Sequence, residues 1–543
     1  MLAISAKTCH SQLLLRITMM KPSTLSKKST RQSAFFNLRG LIGLLAILAG
    51  AFLALFVKSA QIRGPERAVN HMSASGGVQE EWVARYNGPG NYIDEAHAIA
   101  IDSAGNVYVT GGSFSSDTDS DYATIKYDSS GQQQWIARYD GMDSNDTATS
   151  IAIDSTGNVY VTGESIGSDT DYDYATVKYD SSGQQQWVAR YNGTANAHDT
   201  ATSIAVDSAG NVYVTGQSFG PHTDYDYATV KYDSSGQQQW VARYNGPANS
   251  ADTANGIAID SAGNVYVTGQ SFGSGSIYLD YATIKYNAAG QQQWLARYDG
   301  PGNGFDEAHA IAVDAAGNVY VTGESVGSGT YYDYATIKYN TSGQQQWVAR
   351  YNGPMNSDDE ATSMAIDSAG NVYVTGESVG SGTNYDYATV KYDSFGQQQW
   401  VARYNGLRNG FDEADAIAVD GAGNVYVTGQ SSRSTSNLTG EVAQNFGTQG
   451  LVPLSRPTPT PTPRRTPRPT PTPRPTPQGA NVDYVTVKYD SSGQEQWVAR
   501  YNGPGNSEDE PHGIAIDSTG NVYVTGQSGP PIALDYATIK YSP

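Results

Sequence analysis

Cysteine is almost absent from this sequence. The single cysteine, Cys9, precedes the whole repetitive part of the chain, so that part has neither disulfides nor thiolate metal ligands. Long apolar helical patterns are also missing outside the N-terminus, whereas glycine (59 residues) and tyrosine (39 residues) are abundant. This composition is typical of short strands joined by tight turns, and it predicts an all-β fold that is stabilised by packing.

Basic residues are scarce in the repetitive part. The formal net charge of the chain is −20, and that of the repeats alone is roughly −34, because the N-terminus and a Pro/Thr-rich segment carry many of the basic residues. An electrostatic field of this sign repels phosphate groups. We therefore expect no nucleic-acid partner, and expect cations, cationic surfaces or neutral ligands instead.

One long apolar run, residues 41–57, stands near the N-terminus. It is preceded by five basic residues with no acidic residue among them: Lys21, Lys27, Lys28, Arg31 and Arg39. A basic flank stays in the cytoplasm, so we expect residues 1–40 to be a cytoplasmic region, 41–57 a signal or transmembrane segment and 58–78 a linker. Residues 79–543 are then extracytoplasmic in a bacterium, either membrane-anchored or, after cleavage, secreted, and the chain meets the membrane only through this segment.

A repeat dominates the rest of the chain. The segment IAIDSAGNVYVTG starts at Ile99, and related segments start at Ile151, Ile204, Ile257, Ile311, Met364, Ile417 and Ile514. Each unit contains four runs of strand type, IAID, NVYVTG, DYATIKY and QQWVARY, separated by Asp/Gly turn signals. Four such strands per repeat predict a four-stranded antiparallel blade of a β-propeller.

The number of blades depends on how the two ends of the repeat region are used. The region begins with a lone strand around Trp82 and ends after the third strand of the last unit. Pairing residues 82–86 beside residues 535–541 completes an eighth blade and removes two exposed sheet edges. Eight blades with the N-terminal strand closing the last one is the simplest prediction, and seven blades plus a tail is the alternative.

These motifs resemble a known family. The patterns DxxGNVYVTG and YATIKYDxxGxxxW are similar to the unit of the bacterial seven-bladed β-propeller repeat family, the SBBP repeat. The resemblance implies a propeller fold and an exported protein, and the family name implies seven blades. It does not imply a particular activity.

An insertion interrupts the propeller at residues 433–481. It contains a Pro/Thr/Arg-rich run from Arg456 to Pro477 that lacks the apolar residues needed for a core. We expect an extended polyproline II or disordered segment. It is either a tolerated loop expansion or a basic arm that docks on a partner, a cell-wall polymer or the acidic propeller.

An acidic residue stands just before each first strand. The eight are Asp94, Asp146, Asp199, Asp252, Asp306, Asp359, Asp412 and Asp509. Three residues later come His97, Thr149, Thr202, Asn255, His309, Thr362, Asp415 and His512. A ring of carboxylates at the channel mouth could bind Ca²⁺, whose ligands are oxygen atoms. Alternatively, each aspartate caps its own loop by accepting backbone hydrogen bonds.

The loops divide into two sets according to the meander topology. The DSAGN and DSSG turns are nearly uniform and share one face, which we call the uniform face, while the loops of varied sequence share the other, the variable face. Variation on one face of a rigid scaffold predicts a binding surface there, for an unidentified protein or polysaccharide, pointing away from the membrane. Loop tyrosines could form a sugar-binding platform there: Tyr92, Tyr278, Tyr331 and Tyr332.

Near-identical repeats argue against catalysis, because an active site needs residues in different roles and no blade stands out in its motifs. GxSxG strings occur in five blades, at Ser165, Ser218, Ser271, Ser325 and Ser378, but no helix follows any of them, as a nucleophile elbow requires. We therefore expect an exported binding or scaffold module rather than an enzyme. The alternatives are a quinoprotein-like oxidoreductase, suggested by the DSSGQQQW segments, and a surface protein of structural or adhesive type linked by Ca²⁺.

Overall fold

The computed structural model describes residues 77–115, 119–142, 145–167, 171–220, 224–275, 277–407, 409–432, 482–506 and 508–542, and the backbone of four short strands near the N-terminus. These strands are β1 (Ala3–Ser5), β2 (Thr8–Cys9), β3 (Gln12–Leu13) and β4 (Arg16–Thr18), in which β1 pairs with β4 and β2 with β3. They belong to a unit separate from the repeats. The predicted apolar segment 41–57 and the insertion 433–481 lie outside the described residues, among which no helix could cross a membrane.

The repeats form eight four-stranded antiparallel blades, as predicted, and a single parallel pair, Val482 with Glu508, joins blades seven and eight into one sheet. The first strands are β6 (Asp94–Ile101), β10 (Asp146–Ile153), β14 (Asp199–Val206), β18 (Asp252–Ile259), β22 (Asp306–Val313), β26 (Asp359–Ile366), β30 (Asp412–Val419) and β34 (Glu508–Ile516). The second strands are β7 (Val107–Phe114), β11 (Val159–Ile166), β15 (Val212–Phe219), β19 (Val265–Phe272), β23 (Val319–Val326), β27 (Val372–Val379), β31 (Val425–Ser432) and β35 (Val522–Gly529).

The outer half of each blade follows the same order. The third strands are β8 (Ser120–Tyr127), β12 (Tyr172–Tyr179), β16 (Tyr225–Tyr232), β20 (Leu279–Tyr286), β24 (Tyr332–Tyr339), β28 (Tyr385–Tyr392), β32 (Val482–Tyr489) and β36 (Asp535–Ser542). The fourth strands of blades one to seven are β9 (Gln133–Tyr139), β13 (Gln185–Tyr191), β17 (Gln238–Tyr244), β21 (Gln292–Tyr298), β25 (Gln345–Tyr351), β29 (Gln398–Tyr404) and β33 (Glu495–Tyr501). The fourth strand of blade eight is β5 (Gln79–Tyr86), from the start of the repeat region.

Blade eight is completed as the sequence predicted. Strand β5 pairs antiparallel with β36, from Tyr86 opposite Tyr536 to Gln79 opposite Ser542. This pairing covers the edge that β36 would otherwise expose. The prediction of eight blades closed by the N-terminal strand is therefore confirmed, and the seven-bladed alternative is wrong.

The blades are locked to one another around the ring. The first strands of neighbouring blades lie against each other, including β34 against β6. A buried tyrosine at the start of each third strand donates its hydroxyl hydrogen to a backbone carbonyl of the next blade, at 3.1–3.4 Å, and Tyr536 closes the circle onto Ala123. The apolar core is likewise divided into clusters, each shared by two consecutive blades. Stability therefore comes from contacts between blades, which makes the ring a rigid support for its loops.

The DSAGN turns are stabilised by hydrogen bonds to their own aspartate. In the first of them, Asp102 Oδ1 accepts hydrogen bonds from the amides of Ala104 and Asn106, each at 2.9 Å, while Oδ2 accepts one from the hydroxyl of Tyr108. Gly105 has a φ of 78°, a left-handed conformation that glycine adopts without strain. The predicted roles of Asp and Gly in these turns are confirmed.

Candidate functional site

The variable face carries most of the exposed large hydrophobic side chains among the described residues. Nine of the twelve lie in its loops: Tyr92, Met142, Ile277, Tyr278, Tyr331, Met355, Leu407, Phe411 and Ile532. The other three are Ile136 and Leu295 on fourth strands and Phe395 in a turn of the uniform face. The exposed apolar side chains of the described residues are therefore concentrated on one face of the ring.

A shallow groove of about 380 Å³ lies within this face. It is lined by Ser274, Gly275, Ile277, Tyr278, Asp299 and Asn303. Tyr278 packs edge-on against Phe305 at 5.2 Å between ring centroids, and 37% of its surface is exposed. Of the four tyrosines that the sequence proposed as a sugar platform, Tyr92, Tyr278 and Tyr331 are exposed, while Tyr332 is half-buried.

The eight aspartates predicted as a Ca²⁺ ring are buried at the starts of the first strands or, in Asp509, one residue further in. Each accepts a hydrogen bond from the amide of a glycine in the preceding loop, for example from Gly88 to Asp94 at 2.6 Å and from Gly503 to Asp509 at 2.8 Å. A Cβ atom on Gly88 would lie 2.6 Å from Asp94 Oδ1, so the loop requires glycine there. The aspartates thus hold the variable-face loops in place.

Burial disfavours the charged form of these carboxyl groups. It raises the pKa of Asp94 to about 6, against the opposing effect of hydrogen bonds from Ser113 and Gly88. Burial likewise raises the pKa of Asp509 to about 7. Only Asp306 of the eight belongs to a group of three close ligand atoms within the described ranges, with Asp280 and Asp299, and Arg297 already binds Asp280 at 2.7 Å. The Ca²⁺ ring stays a prediction.

An arginine from each fourth strand ties the same loops together. In blade five, Arg350 donates hydrogen bonds to the hydroxyl of Tyr298 in the preceding blade at 3.0 Å, to Ser325 Oγ at 2.7 Å and to Asp333 Oδ2 at 2.8 Å. All eight blades repeat the arginine–aspartate pair. The serines of the GxSxG strings are fully buried and accept hydrogen bonds from the arginines of this network.

Residues three positions after the aspartates bridge neighbouring first strands. Thr149 Oγ1 donates a hydrogen bond to the carbonyl of Ala201 at 2.8 Å, and Asn255 Nδ2 does the same to Ala308 at 2.8 Å. His97 Nδ1 lies 2.8 Å from the carbonyl oxygen of Ala148. Burial raises the pKa of Asp415, which occupies the same position, well above its usual range.

Blade five does stand out in the structure, contrary to the expectation from the motifs. Glu307 and Glu324 lie directly opposite each other on β22 and β23, and His309 lies on the same side of β22. One ligand atom from each of the three side chains lies within 4.8 Å of the others, and His309 Nε2 is 4.0 Å from Glu324 Oε2. The sequence contains the residues of this group, Glu307 directly after Asp306 and Glu324 directly after the TG of the second strand. Their proximity could be recognised only once the register of the two strands was known.

Six segments of the chain match the family described as SBBP, β-propeller repeat: 81–115, 134–169, 186–221, 239–274, 346–382 and 496–529. Each begins in or beside the fourth strand of one blade and runs through the first two strands of the next. No curated protein matches the chain.

Solved structures show only a distant likeness. The chain is similar to the polysaccharide lyase Uly1, with 10% identity over 74% of this chain and 92% of that one and a TM-score of 0.41. It is also similar to a putative gluconolactonase, with 11% identity over 63% and 88% and a TM-score of 0.28. A third is the gluconolactonase XC5397 from Xanthomonas campestris, with 13% identity over 56% and 96% and a TM-score of 0.27. Likeness at this level transfers no activity to this chain, and the fold rests on the strand pairing.

Proposed function

Because the chain is a β-propeller repeat protein of the SBBP type, we propose that it is a non-catalytic binding or scaffold module that engages a protein or polysaccharide through its variable face. The observation that carries this proposal is that, of the twelve exposed large hydrophobic side chains in the described part of the chain, nine lie in the loops of that face. Aromatic and aliphatic side chains on such a surface supply most of the binding energy when they are desolvated by a partner.

The rigidity of the ring supports this proposal. The buried aspartates and the arginine network fix the base of each variable-face loop, while the loop tips differ in sequence. A loop whose base is fixed loses little conformational entropy on binding. The loop bases thus form a framework that all blades share, while the residues that can contact a partner differ from blade to blade.

Export to the cell surface is part of the proposal. Its support is the basic flank followed by the apolar run at 41–57, which is typical of a segment that directs the following chain out of the cytoplasm. In intact cells that produce the full chain, an impermeant label is expected to reach the variable face. Labelling of a cysteine placed at Met355 should exceed labelling of one placed at Phe395, and the reverse would contradict the proposed orientation.

The binding face is tested by removing its apolar tips. The full chain carrying Tyr331→Ser and Met355→Ser is compared with the wild type on arrays of bacterial polysaccharides and in crosslinking to cell-surface proteins. The matched control is Phe395→Ser, which removes a more exposed aromatic ring from the uniform face, where 78% of its surface is accessible. We expect the double variant to lose binding at least about tenfold and the control to keep it.

Two results would contradict this function. Loss of binding in Phe395→Ser with retention in the double variant would place the contact surface on the other face. Turnover of an alcohol by the purified chain supplied with pyrroloquinoline quinone would show an oxidoreductase instead.

A further inference from the structure

The contacts between neighbouring blades, which we call seams, reuse one pair of positions. The residue after TG on a second strand faces the second residue of the next first strand. At the seam of blades two and three, Thr200 Oγ1 donates a hydrogen bond to Glu164 Oε2 at 2.9 Å. At the seam of blades three and four, Thr253 Oγ1 donates one to Gln217 Oε1 at 3.0 Å. An acceptor on one blade thus meets a hydroxyl donor on the next.

The seam of blades five and six differs from these two. The same positions hold Glu324 and Glu360, so two carboxyl groups meet, and the corresponding residues of blades six and seven, Glu377 and Glu413, are also both glutamates. Two carboxylates at close range repel each other, and a bound cation offsets that repulsion.

Blade five adds a nitrogen ligand at the same place. His309 stands two residues after Glu307 on β22, and Glu307 is directly opposite Glu324 on β23. The three side chains offer ligand atoms within 4.8 Å of one another. His309 supplies an imidazole nitrogen, which in its neutral form is the commonest metal ligand in proteins. None of the other seven blades forms such a histidine–carboxylate group within the described ranges.

We propose that Glu307, His309 and Glu324 bind one divalent first-row transition-metal ion, such as Zn²⁺ or Mn²⁺, with Glu360 of blade six as the nearest further ligand. Imidazole and carboxylate together suit these ions, whereas Ca²⁺ prefers oxygen ligands alone. The site belongs to the blade seam and does not depend on the binding function proposed for the variable face.

The repeats themselves supply the variants that test this site. Glu360→Thr copies Thr200 and Thr253, Glu324→Gln copies Gln217, and His309→Thr copies Thr362. Each change installs a residue that another blade already accommodates at that position. The matched control is Glu164→Gln, a carboxylate at the same repeat position whose neighbour Thr200 is a hydroxyl donor.

The measurement is equilibrium dialysis of the metal-stripped full chain against Zn²⁺ alone, Mn²⁺ alone and Ca²⁺ alone, with metal analysis. We expect one equivalent of Zn²⁺ or Mn²⁺ to bind. Affinity should fall at least about tenfold in each of the three variants and stay unchanged in Glu164→Gln. Without metal, Glu360→Thr should raise the unfolding temperature, because it removes the carboxyl pair.

The proposal is overturned if no equivalent of either ion binds, if Ca²⁺ binds more tightly than both, or if the three variants bind metal as the wild type does. A stabilised Glu360→Thr in a chain that binds no metal would also overturn it, because the carboxyl pair would then only destabilise the seam.

Discussion

The two faces of this propeller are made from the same repeat but are held in shape differently. On the uniform face, each DSAGN turn is closed by its own aspartate, as in Asp102, which accepts hydrogen bonds from residues within four positions and from Tyr108. On the variable face, the loops are held from beneath by buried aspartates and by arginines that reach across blades. The tips of those loops make few of these bonds. Sequence can therefore vary at the tips without loss of the fold, and the tips expose the apolar side chains.

The largest expected effect on stability comes from removing an arginine that supports the variable-face loops. Arg350→Leu leaves the buried carboxylate of Asp333 without its cation and should lower the free energy of unfolding by about 3 kcal/mol. The measurement is urea denaturation of the full chain. In a double-mutant cycle, Arg350→Leu with Asp333→Asn should recover part of the loss, because no buried charge is then unpaired. An additive result would show that the pair does not interact.

A pH titration separates the two sets of aspartates. Burial raises the pKa of Asp94, Asp252 and Asp412 to about 6 in the folded chain, so these groups favour folding when protonated and lose that contribution as the pH rises through 6. The turn aspartates behave oppositely. Although burial alone would raise it, hydrogen bonds from Thr156 and Asn158 lower the pKa of Asp154 to about 2.

The turn groups lose their contribution as the pH falls below about 4, the unfolded pKa of aspartate. The unfolding temperature should therefore rise by several degrees from pH 8 to pH 5 and fall again below pH 4. Differential scanning calorimetry over this range provides the measurement. A steady decline from pH 8 to pH 5 would contradict the assignment of raised pKa values to the buried set.

Removing the aspartate that closes one turn of the uniform face should destabilise the chain less than Arg350→Leu does. Asp154→Ala removes the acceptor for the Thr156 and Asn158 amides and for the Tyr160 hydroxyl, and we expect a loss of about 1–2 kcal/mol in the free energy of unfolding. Asp154→Asn keeps an acceptor oxygen and should cost less than the alanine variant. If the alanine variant destabilised the chain as much as Arg350→Leu does, the contrast between self-closed turns and supported loops would fail.

The smallest effect on stability is expected at the exposed tips. Tyr331→Ser and Phe395→Ser should each change the free energy of unfolding by no more than about 0.5 kcal/mol, because 65% and 78% of their surfaces are exposed. Urea denaturation of the two variants checks this. A larger loss in Tyr331→Ser alone would show that the tip packs against the ring.

Most of the fold could be read from the sequence because its signals are local and occur in every repeat. Strand type follows from runs such as VYVTG, turn shape from Asp102 and Gly105, and closure of blade eight from an unpaired strand at Trp82. The eight aspartates were expected just before the first strands, and the structure places them within the first two residues of those strands. Their burial was not foreseen, because it depends on the glycine and serine that pack against each carboxyl group in space.

The group at Glu307, His309 and Glu324 could not be recognised from motifs. No single strand contains it, and Glu360 approaches from a different blade. The side chains meet only through the register of β22 on β23 and through the seam to β26. Differences among near-identical repeats indicate a site only when the structure shows which positions of neighbouring blades lie together.

The pairing of β5 with β36 has a consequence for the folding kinetics. Its partner strand β36 lies about 450 residues later in the chain, so this ladder is the contact of longest range in the fold and cannot form until the last strand is available. Until then β36 or β5 presents an open edge that a second copy of the chain can occupy. Assembly at high concentration before closure would link propellers head to tail, with the β5 of one chain completing the ring of the next.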